Sequence, residues 1–317
     1  MQILTEKYAE IINEAKILLE KLQVLIDKHT EDSLKLKIKS AVENLDNLFL
    51  IVFMGEFSTG KSSVINALIG EKILKVGITP TTDRITLIKY GERSEKLEGG
   101  VLNIEVPNIK LENTILVDTP GTNVTIEQHK KITEDFIPKS DIIFFTIGAE
   151  RAVTSSEYDF IKFLKDEWNK NIVFLLNKVD IAKDNDELEE LTDYTKNELK
   201  RLFGIDPVII PVSAKLELEN NPGSGFNDLN KLIFKILSQE ERLRIKLNSS
   251  IDLSIHLSLE TEKAINHDLS KISADIEKLN DFDSRIRGMK TDIVQNSSQF
   301  TERINGRLLE FKNRGIE

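Results

Sequence analysis

The residues from Gly55 to Ser62 read G-E-F-S-T-G-K-S and fit the pattern G-x-x-x-x-G-K-[S/T], which wraps the phosphates of a bound nucleotide. The apolar run 48–54 before them is typical of a buried strand, and the run 64–69 after them is typical of the start of a helix. In this context, backbone N–H groups and the helix N-terminus point towards phosphate oxygens. Lys61 is therefore predicted to reach the terminal phosphates, and the hydroxyl of Ser62 is predicted to hold Mg²⁺.

Length and composition narrow the class of protein. The chain has 317 residues, which is enough for about two domains, and its net charge is -10. It has no cysteine, which excludes disulfides and thiolate metal sites. The acidic balance argues against a nucleic-acid binder, because such proteins usually have a basic face. No apolar run reaches the roughly 18 residues of a membrane span, and the N-terminus lacks the order of a signal peptide, so we expect a soluble cytoplasmic protein.

Both ends of the chain have the apolar periodicity of helices. In the runs 4–25 and 34–48, apolar residues recur at steps of three and four, and the polar residues 28–32 separate the two runs. From Ile265 to Phe311 similar steps continue without a proline, which predicts one or two long helices with an apolar seam. Because the N-terminal helices also have an apolar face, we expect the two ends to pack together as a helical bundle. The predicted helical segments are 1–47 and 241–317.

Between these ends, from 48 to 240, strand-like and helical runs alternate. Several strands are apolar on both faces, as parallel strands covered by helices on both sides are. Such alternation predicts a doubly wound, mostly parallel α/β sheet, which binds ligands at the carboxyl ends of its strands. The predicted strands are 48–54, 85–90, 114–117, 142–147, 172–176 and 208–212.

Two stretches after the first loop have the residues of a phosphate and Mg²⁺ site. Asp118-Thr-Pro-Gly121 follows a predicted strand, where an aspartate commonly holds Mg²⁺ and a glycine can place its N–H against a γ-phosphate. Pro80-Thr-Thr-Asp-Arg84 offers hydroxyls that could complete the Mg²⁺ shell when the γ-phosphate is present, as in a switch loop. Either threonine fits this role. We prefer Thr82 to Thr81 because it lies nearer the following strand.

Asn177-Lys-Val-Asp180, after the strand at 172–176, predicts recognition of guanine. The Asp180 carboxylate can accept two N–H bonds from the guanine edge, whereas adenine offers no such pair of donors. Asn177 can tie the base to the loop, and the stem of Lys178 can lie on the ring. Ser213-Ala-Lys215 could place a backbone N–H on the guanine oxygen. N-K-V-D alone also fits an ordinary polar turn, but its position after the other two motifs favours a guanine nucleotide.

Together these motifs resemble those of the dynamin superfamily, especially its bacterial members. The resemblance covers roughly 48–247 and rests on G-E-F-S-T-G-K-S-S-V-I-N-A-L-I-G, V-D-T-P-G-T-N, T-S-S-E up to Glu157 and L-L-N-K-V-D. It implies a GTPase domain at 48–240 that hydrolyses GTP to GDP and phosphate. It also implies face-to-face pairing with a second copy or a related dynamin-like partner, and membrane remodelling, by fusion or fission, through a helical stalk.

The resemblance also implies roles for single residues. For catalysis these are Lys61, Ser58, Thr82 and Gly121, and for Mg²⁺ they are Ser62, Thr82 and Asp118. Ser58 matches a family serine that helps hold a monovalent cation, K⁺ or Na⁺, which can replace an arginine finger. The nucleotide-binding set is Gly55, Glu56, Phe57, Ser58, Thr59, Gly60, Lys61, Ser62, Ser63, Asp118, Gly121, Asn177, Lys178, Asp180, Ser213, Ala214 and Lys215.

Two departures from the family pattern affect the expected chemistry and membrane contact. Phe57 stands where eukaryotic dynamins have a glutamine that helps to place the attacking water, and Thr122 stands where Ras-like proteins have theirs. We therefore expect water to be placed by backbone groups, by Thr82 or by a partner subunit. Arg84 and Arg151 are candidate arginine fingers, although an ordinary surface arginine also fits each. The chain is shorter than typical family members and shows no lipid-binding segment, so we expect either a fragment or membrane contact through a partner.

Two other functions share these nucleotide motifs. One is a GTP-gated protein-interaction module, in which the coiled tail grips another protein and membranes play no part. The other is an Era-like GTPase of ribosome assembly or tRNA modification, which the acidic balance and the heptad tail disfavour. We expect GTP, a second GTPase domain and membrane lipid as partners, without nucleic acid. The expected location is the cytoplasm, including the inner face of the cell membrane.

Overall fold

The computed structural model describes residues 2–29, 32–45, 47–77, 84–121, 132, 136–151, 153–166, 170–204 and 206–314. The chain divides into two compact units, Met1–Leu259 and Glu260–Glu317. The first unit contains an eight-stranded sheet, and the described part of the second unit is helical. The division at 47 and 240 that the sequence suggests stays a prediction.

The described helices of more than one turn are α1 Gln2–His29, α2 Asp32–Asn44, α3 Lys61–Ile69, α4 Ser155–Asp166, α5 Asn185–Phe203, α6 Ala214–Leu218, α7 Phe226–Leu237 and α8 Gln239–Arg314. The described strands are β1 Phe49–Met54, β2 Thr86–Tyr90, β3 Ser94–Glu98, β4 Val101–Val106, β5 Thr114–Asp118, β6 Ile142–Gly148, β7 Ile172–Asn177 and β8 Val208–Pro211. Helices at both ends of the chain are thus confirmed, and the predicted C-terminal seam lies on one helix.

The strands form one sheet in the order β3-β4-β2-β5-β1-β6-β7-β8. Strands β5, β1, β6, β7 and β8 are parallel neighbours, whereas β2 pairs antiparallel with β5. Strand β1 lies inside the sheet, and all of its residues are buried, as expected for a strand with helices on both faces. These pairings confirm the doubly wound, mostly parallel α/β class. They also bring the carboxyl ends of β1, β5 and β7 to one edge.

All six predicted strands are present, but the prediction missed the hairpin of β3 and β4. Strand β3 reads S-E-K-L-E and is mostly exposed, so it lacks the apolar pattern by which the other strands were recognised. Its connection to β4 is Gly99-Gly100, with φ of +56° and +78°. Two residues in the left-handed region suit the tight turn of a two-residue hairpin. The Gly-Gly pair was therefore the available sequence signal.

Alternate residues of β1 enter two different apolar cores. Phe49, Ile51 and Phe53 pack on the face that carries α3 and α7. Leu50, Val52 and Met54 pack on the other face. This second core also contains Leu19 and Ile26 of α1, Ile38 and Ala41 of α2, and Leu253 and Leu257 of α8. The N-terminal helices therefore pack with the first part of α8, which precedes the predicted seam at 265–311, in a core on one face of the sheet that α4 and α5 also enter. The packing of that seam against the N-terminal helices stays a prediction.

The described part of the second unit, 260–314, taken by itself, is helical and has exposed apolar side chains. An apolar seam at heptad-like steps needs a partner face, and the identity of that face stays a prediction. None of the described helices is both long enough and apolar enough to cross a membrane. The exposed residues of the seam are Leu269, Ile272, Ile276, Leu279, Phe282, Ile286, Met289, Ile293, Phe300, Ile304 and Phe311.

Candidate nucleotide site

The phosphate-binding loop leaves the carboxyl end of β1 and enters the N-terminus of α3 through two glycines in the left-handed region. Gly55 has φ +141° and Gly60 has φ +89°. A Cβ at position 55 would lie 2.3 Å from the carbonyl oxygen of Thr146, and one at position 60 would lie 2.3 Å from Nδ2 of Asn177. Both positions therefore require glycine for conformation and for space. The curled backbone that results is the shape a phosphate-binding loop needs.

Lys61 is buried against this loop. Its Nζ donates hydrogen bonds to the carbonyl oxygens of Gly55, at 3.0 Å, and Glu56, at 2.9 Å. Burial lowers the pKa of Lys61 to about 8, against the opposing effect of carboxylates that include Asp118 and Glu157. Since the charged form of a buried amine is costly, an anionic phosphate beside Nζ would stabilise it. Lys61 thus lies against the loop that the sequence predicts to wrap phosphates, and its contact with a phosphate stays a prediction.

Ser62 and Asp118 meet at the start of α3. The Ser62 hydroxyl donates a 2.6 Å hydrogen bond to Oδ2 of Asp118, whose side chain is fully buried. Burial raises the pKa of Asp118 to about 6, while the Ser62 hydrogen bond and the charge of Lys61 act against that rise. The other carboxylate oxygen, Oδ1, has no hydrogen-bond partner among the residues that the structure describes.

This donor set fits Mg²⁺, which is a hard cation that prefers oxygen ligands and keeps several water or phosphate ligands. A serine hydroxyl and a buried carboxylate with one unpartnered oxygen supply part of such a shell. Within the described ranges there is no group of three or more His, Cys, Asp or Glu side chains that could hold a metal ion. Thr82, the predicted third protein ligand, lies outside the described residues, as does Thr122.

Asp118-Thr-Pro-Gly121 is fixed to β1 and to the phosphate-binding loop. The Thr119 hydroxyl donates a 2.8 Å hydrogen bond to the carbonyl oxygen of Phe53 in β1. A Cβ at Gly121 would lie 2.6 Å from the backbone nitrogen of Phe57. Only glycine permits this approach, which places the backbone of the second motif beside the first loop.

The guanine motif is connected to the same loop through Asn177. Its Nδ2 donates to the carbonyl oxygen of Thr59 at 2.8 Å, and its Oδ1 accepts from the backbone N–H of Ala214 at 3.2 Å. The carboxylate of Asp180 accepts a 2.6 Å hydrogen bond from the Ser213 hydroxyl. These contacts bring the motifs at 55–62, 177–180 and 213–215 together, as the sequence predicted.

A cavity of about 580 Å³ lies among these motifs, within the usual size range of small-molecule sites. Its lining has predicted residues from the phosphate-binding loop and from the motifs at 118–121, 177–180 and 213–215, and three further residues that no sequence motif indicates, Val76, Gly77 and Ile181. Gly55, Glu56, Thr59, Asp118 and Ser213 support the wall without lining it. The lining residues from the predicted set are Phe57, Ser58, Gly60, Lys61, Ser62, Ser63, Gly121, Asn177, Lys178, Asp180, Ala214 and Lys215.

One part of the site was not foreseen. Arg151, considered from the sequence as an arginine finger, lies 2.7 Å from the Glu56 carboxylate and 3.1 Å from that of Glu157. In the sequence, the T-S-S-E stretch that ends at Glu157 indicates only the family resemblance. No local signal pairs residues on two separate loops, so this cluster emerges only from the fold.

The chain is similar to proteins of the dynamin family. The Dynamin family model matches residues 51–102 and 94–179. A probable transmembrane GTPase, FZO-like, of chloroplasts in Arabidopsis thaliana is 33% identical over 312 residues, which are 88% of this chain and 33% of that protein. The tRNA modification GTPase MnmE of a Thermoanaerobacter species is 30% identical over 247 residues, which are 70% of this chain and 47% of that protein.

The fold is also similar to that of a solved bacterial dynamin. A chain from an oligomerised bacterial dynamin pair, described as a mechanism for long-range sensing and tethering of membranes, matches with a TM-score of 0.55 at 20% identity. The match covers 86% of this chain and 52% of the other. This chain thus spans between a third and about half of each of these three proteins.

Proposed function

Because the chain belongs to the dynamin family of GTPases, we propose that it hydrolyses GTP to GDP and phosphate and couples that reaction to membrane remodelling through pairing of GTPase domains. The observation that carries the proposal is the cavity between the phosphate-binding loop and the guanine motif. Its lining includes both Lys61, from the phosphate-binding loop, and Asp180, from the guanine motif. A guanine nucleotide has the matching arrangement of a negative tail and a base with two adjacent donors.

At the phosphate end, the chain's own groups stabilise charge. Lys61 and the loop N–H groups are placed to neutralise the transferred phosphoryl group. Ser62 and Asp118 would hold Mg²⁺, with Thr82 as the proposed third ligand. When bound, Mg²⁺ neutralises charge on the β- and γ-phosphate oxygens. Ser58 lines the cavity, which supports its proposed role beside a K⁺ or Na⁺ ion.

At the reacting end, the attacking water must be placed without the side chain of Phe57, which has no hydrogen-bonding atom. The backbones of Phe57 and Gly121 lie side by side at the cavity wall. We propose that their N–H groups, Thr82 or a partner subunit place the water. At the guanine end, Asp180 would exchange its Ser213 hydrogen bond for the donors of the base.

Domain pairing, membrane action and a cytoplasmic, peripheral location are the wider part of the proposal. Their support is similarity to a transmembrane GTPase and to a dynamin pair that senses and tethers membranes. The test is GTP turnover as a function of protein concentration, with and without liposomes, in KCl and in NaCl. We expect turnover per molecule to rise with concentration, to rise further with liposomes, and to depend on the cation. A GDP–aluminium fluoride complex that stays monomeric in ultracentrifugation would contradict pairing.

The similarity to a tRNA modification GTPase favours one second candidate, a GTPase that acts on RNA. The net charge of -10 weighs against it. The discriminating measurement is the ratio of absorbance at 260 and 280 nm of the purified protein after nucleotide removal. A ratio typical of protein supports the dynamin assignment, whereas co-purified RNA supports the second candidate. GTP turnover per molecule that depends on neither protein concentration nor liposomes would favour a GTP-gated protein-interaction module.

A further inference from the structure

We propose that Arg151 is a positioning residue for the phosphate-binding loop, which it holds through the side chain of Glu56. Together with Glu157, Thr154 and Ser156, these residues form a cluster that we call the Arg151 brace. The proposal rests on the proposed function, because it concerns the geometry of the same nucleotide site. It assigns to Arg151 a role inside its own subunit in place of an arginine finger.

The centre of the brace is one guanidinium between two carboxylates. Arg151 Nη2 lies 2.7 Å from Glu56 Oε2 and 3.1 Å from Glu157 Oε1, and Nη1 lies 3.3 Å from Glu157 Oε2. The Glu157 side chain is fully buried, and those of Arg151 and Glu56 are mostly buried. Removing the guanidinium would leave two neighbouring carboxylates without their shared counter-ion, which is costly away from water.

Hydroxyl groups at the start of α4 complete the brace. Thr154 Oγ1 donates to Glu56 Oε1 at 3.2 Å, and the Ser156 hydroxyl also hydrogen-bonds to Glu56 Oε1. The backbone N–H of Thr154 donates to Glu157 Oε2 at 3.0 Å. The carboxylate of Glu56 thus has a charged donor at Oε2 and neutral hydroxyl partners at Oε1, which restrains its side chain from both oxygens.

The backbone of Glu56 transmits this restraint to the nucleotide site. Its carbonyl oxygen accepts hydrogen bonds from Lys61 Nζ at 2.9 Å and from Thr59 Oγ1 at 2.9 Å. Restraint of the Glu56 side chain by Arg151 therefore also restrains the Glu56 carbonyl oxygen, which accepts the hydrogen bond from Lys61. The next residue, Phe57, lies against Gly121 at the cavity wall. Loss of the brace should disturb the phosphate end before the guanine end.

An arginine finger and the Arg151 brace predict different effects of protein concentration on the turnover of an Arg151 variant. A finger inserted into a second subunit acts only when GTPase domains pair, so its removal would lower turnover only at concentrations where they do. A brace acts within one subunit and lowers turnover at every concentration. Misplacement of a reacting group by about 1 Å can cost about 100-fold in rate. We therefore expect Arg151→Met to lower kcat by about 10- to 100-fold throughout.

The experiment compares Arg151→Met, Arg151→Lys, Glu56→Gln and the double variant R151M/E56Q with Arg93→Met. Arg93 is the matched control, because it forms an exposed ion pair with Glu71 at 2.7 Å and does not line the cavity. Each variant is measured for kcat and KM for GTP, for affinity for a fluorescent GDP analogue, and for melting temperature. GDP binding and melting show whether each protein is folded.

The brace predicts that R151M loses kcat while its GDP affinity changes by less than about 3-fold, since the helix N-terminus and the guanine motif remain. R151K should recover part of kcat, because a lysine can pair with one carboxylate. The double variant should lose about as much as the worse single variant, because both changes remove the same contact. R93M should retain wild-type kcat.

Any of four results would overturn the brace. The first two are that R151M keeps wild-type kcat, or that it loses kcat only at high protein concentration. The other two are that R151M loses as much affinity for GDP as it loses kcat, or that the losses of the single variants add in the double variant. Lys61→Ala is measured in parallel. If Lys61→Ala loses turnover and R151M does not, the brace fails and the nucleotide site stands. If Lys61→Ala retains turnover, the assignment of the site itself fails.

Discussion

Two buried sets of lysine and aspartate lie at opposite edges of the same sheet, and only one of them adjoins the nucleotide cavity. The carboxyl-edge set is Lys61 and Asp118, after β1 and at the end of β5. The amino-edge set is Asp141 and Lys170, which precede β6 and β7, with Lys246 of α8. Burial lowers the pKa of both Lys61 and Lys170 to about 8. Burial also raises the pKa of both aspartates.

In the amino-edge set, other groups of the protein form hydrogen bonds with the side chains of Asp141 and Lys170. Asp141 Oδ1 accepts from Asn44 Nδ2 at 3.1 Å, and Oδ2 accepts from the backbone N–H of Leu50 at 2.7 Å and lies 3.3 Å from Lys246 Nζ. Lys170 Nζ donates to two backbone carbonyl oxygens at 2.8 Å each. These contacts connect α2, β1 and α8, which is a structural role.

The carboxyl-edge set differs in that Asp118 Oδ1 has no partner among the described residues and a cavity of about 580 Å³ lies beside the set. Burial and a shifted pKa occur in both sets, so neither property distinguishes the set at the nucleotide site from the set at the amino edge. A cavity of about 400 Å³ also adjoins Lys246, and Asn44 Oδ1 likewise has no hydrogen-bond partner among the described residues. The distinguishing feature is therefore that the unsatisfied oxygen at the carboxyl edge belongs to the aspartate itself, beside the cavity that the nucleotide motifs line. The comparison predicts that changes at the carboxyl edge affect turnover, whereas changes at the amino edge affect stability.

The largest expected effect is that of Lys61→Ala on turnover. Loss of the buried ammonium removes a charge that stabilises the transferred phosphoryl group. We expect kcat to fall about 1,000-fold, equivalent to about 4 kcal/mol of transition-state stabilisation. The measurement is steady-state release of phosphate from GTP. Lys170→Met is the matched control, and folded protein of that variant should turn over GTP within about 3-fold of wild type because Lys170 lies at the other edge. Equal losses in both variants would remove the distinction between the edges.

The second prediction concerns Asp141→Asn, which should lower the free energy of unfolding by about 3 kcal/mol. The substitution removes the buried carboxylate that pairs with Lys246 and whose charge acts on Lys170, and breaking a buried ion pair from one side is costly. Denaturant unfolding gives the free energy, and kcat of the folded protein should remain near wild type. Full stability of this variant would show that the amino-edge set is not structural.

The sequence predicted the carboxyl edge far better than the amino edge. Each nucleotide motif is local in sequence, since its few consecutive residues follow one strand and can be recognised without any other segment. Asn44, Asp141, Lys170 and Lys246 come from four separate segments, and nothing in any one segment indicates the other three. Arg151 and Glu56 also come from separate segments, so the sequence does not indicate that they pair. Heptad steps predicted the C-terminal helix, but its partner face depends on surfaces that periodicity does not specify.

The third prediction is a pH dependence of stability. The pKa of Lys170 is about 8 in the folded protein and about 10.4 in an unfolded chain, so between these values the unfolded state binds more protons. The free energy of unfolding should therefore rise with pH across this window, and the contribution of Lys170 should be lost as pH falls through about 8. Lys61 acts with the same sign, so the measured quantity is the difference between wild type and Lys170→Met. We expect this difference to change by about 2 kcal/mol from pH 8 to 10. A constant difference would contradict the assignment.

The smallest expected effect is at the carboxyl edge. Asp118→Asn replaces a buried carboxylate that has one unpartnered oxygen with a neutral amide of the same shape. We expect it to raise the free energy of unfolding of the nucleotide-free protein by about 1 kcal/mol, because the gain from removing a buried charge exceeds the cost of an unsatisfied amide N–H. The same variant should lose Mg²⁺-dependent turnover, as residues that serve a ligand often reduce stability. Denaturant unfolding of Asp118→Asn and Asp141→Asn side by side gives opposite signs if the two sets differ in this way. Destabilisation of both would mean that Asp118, like Asp141, is held by the protein for its structure.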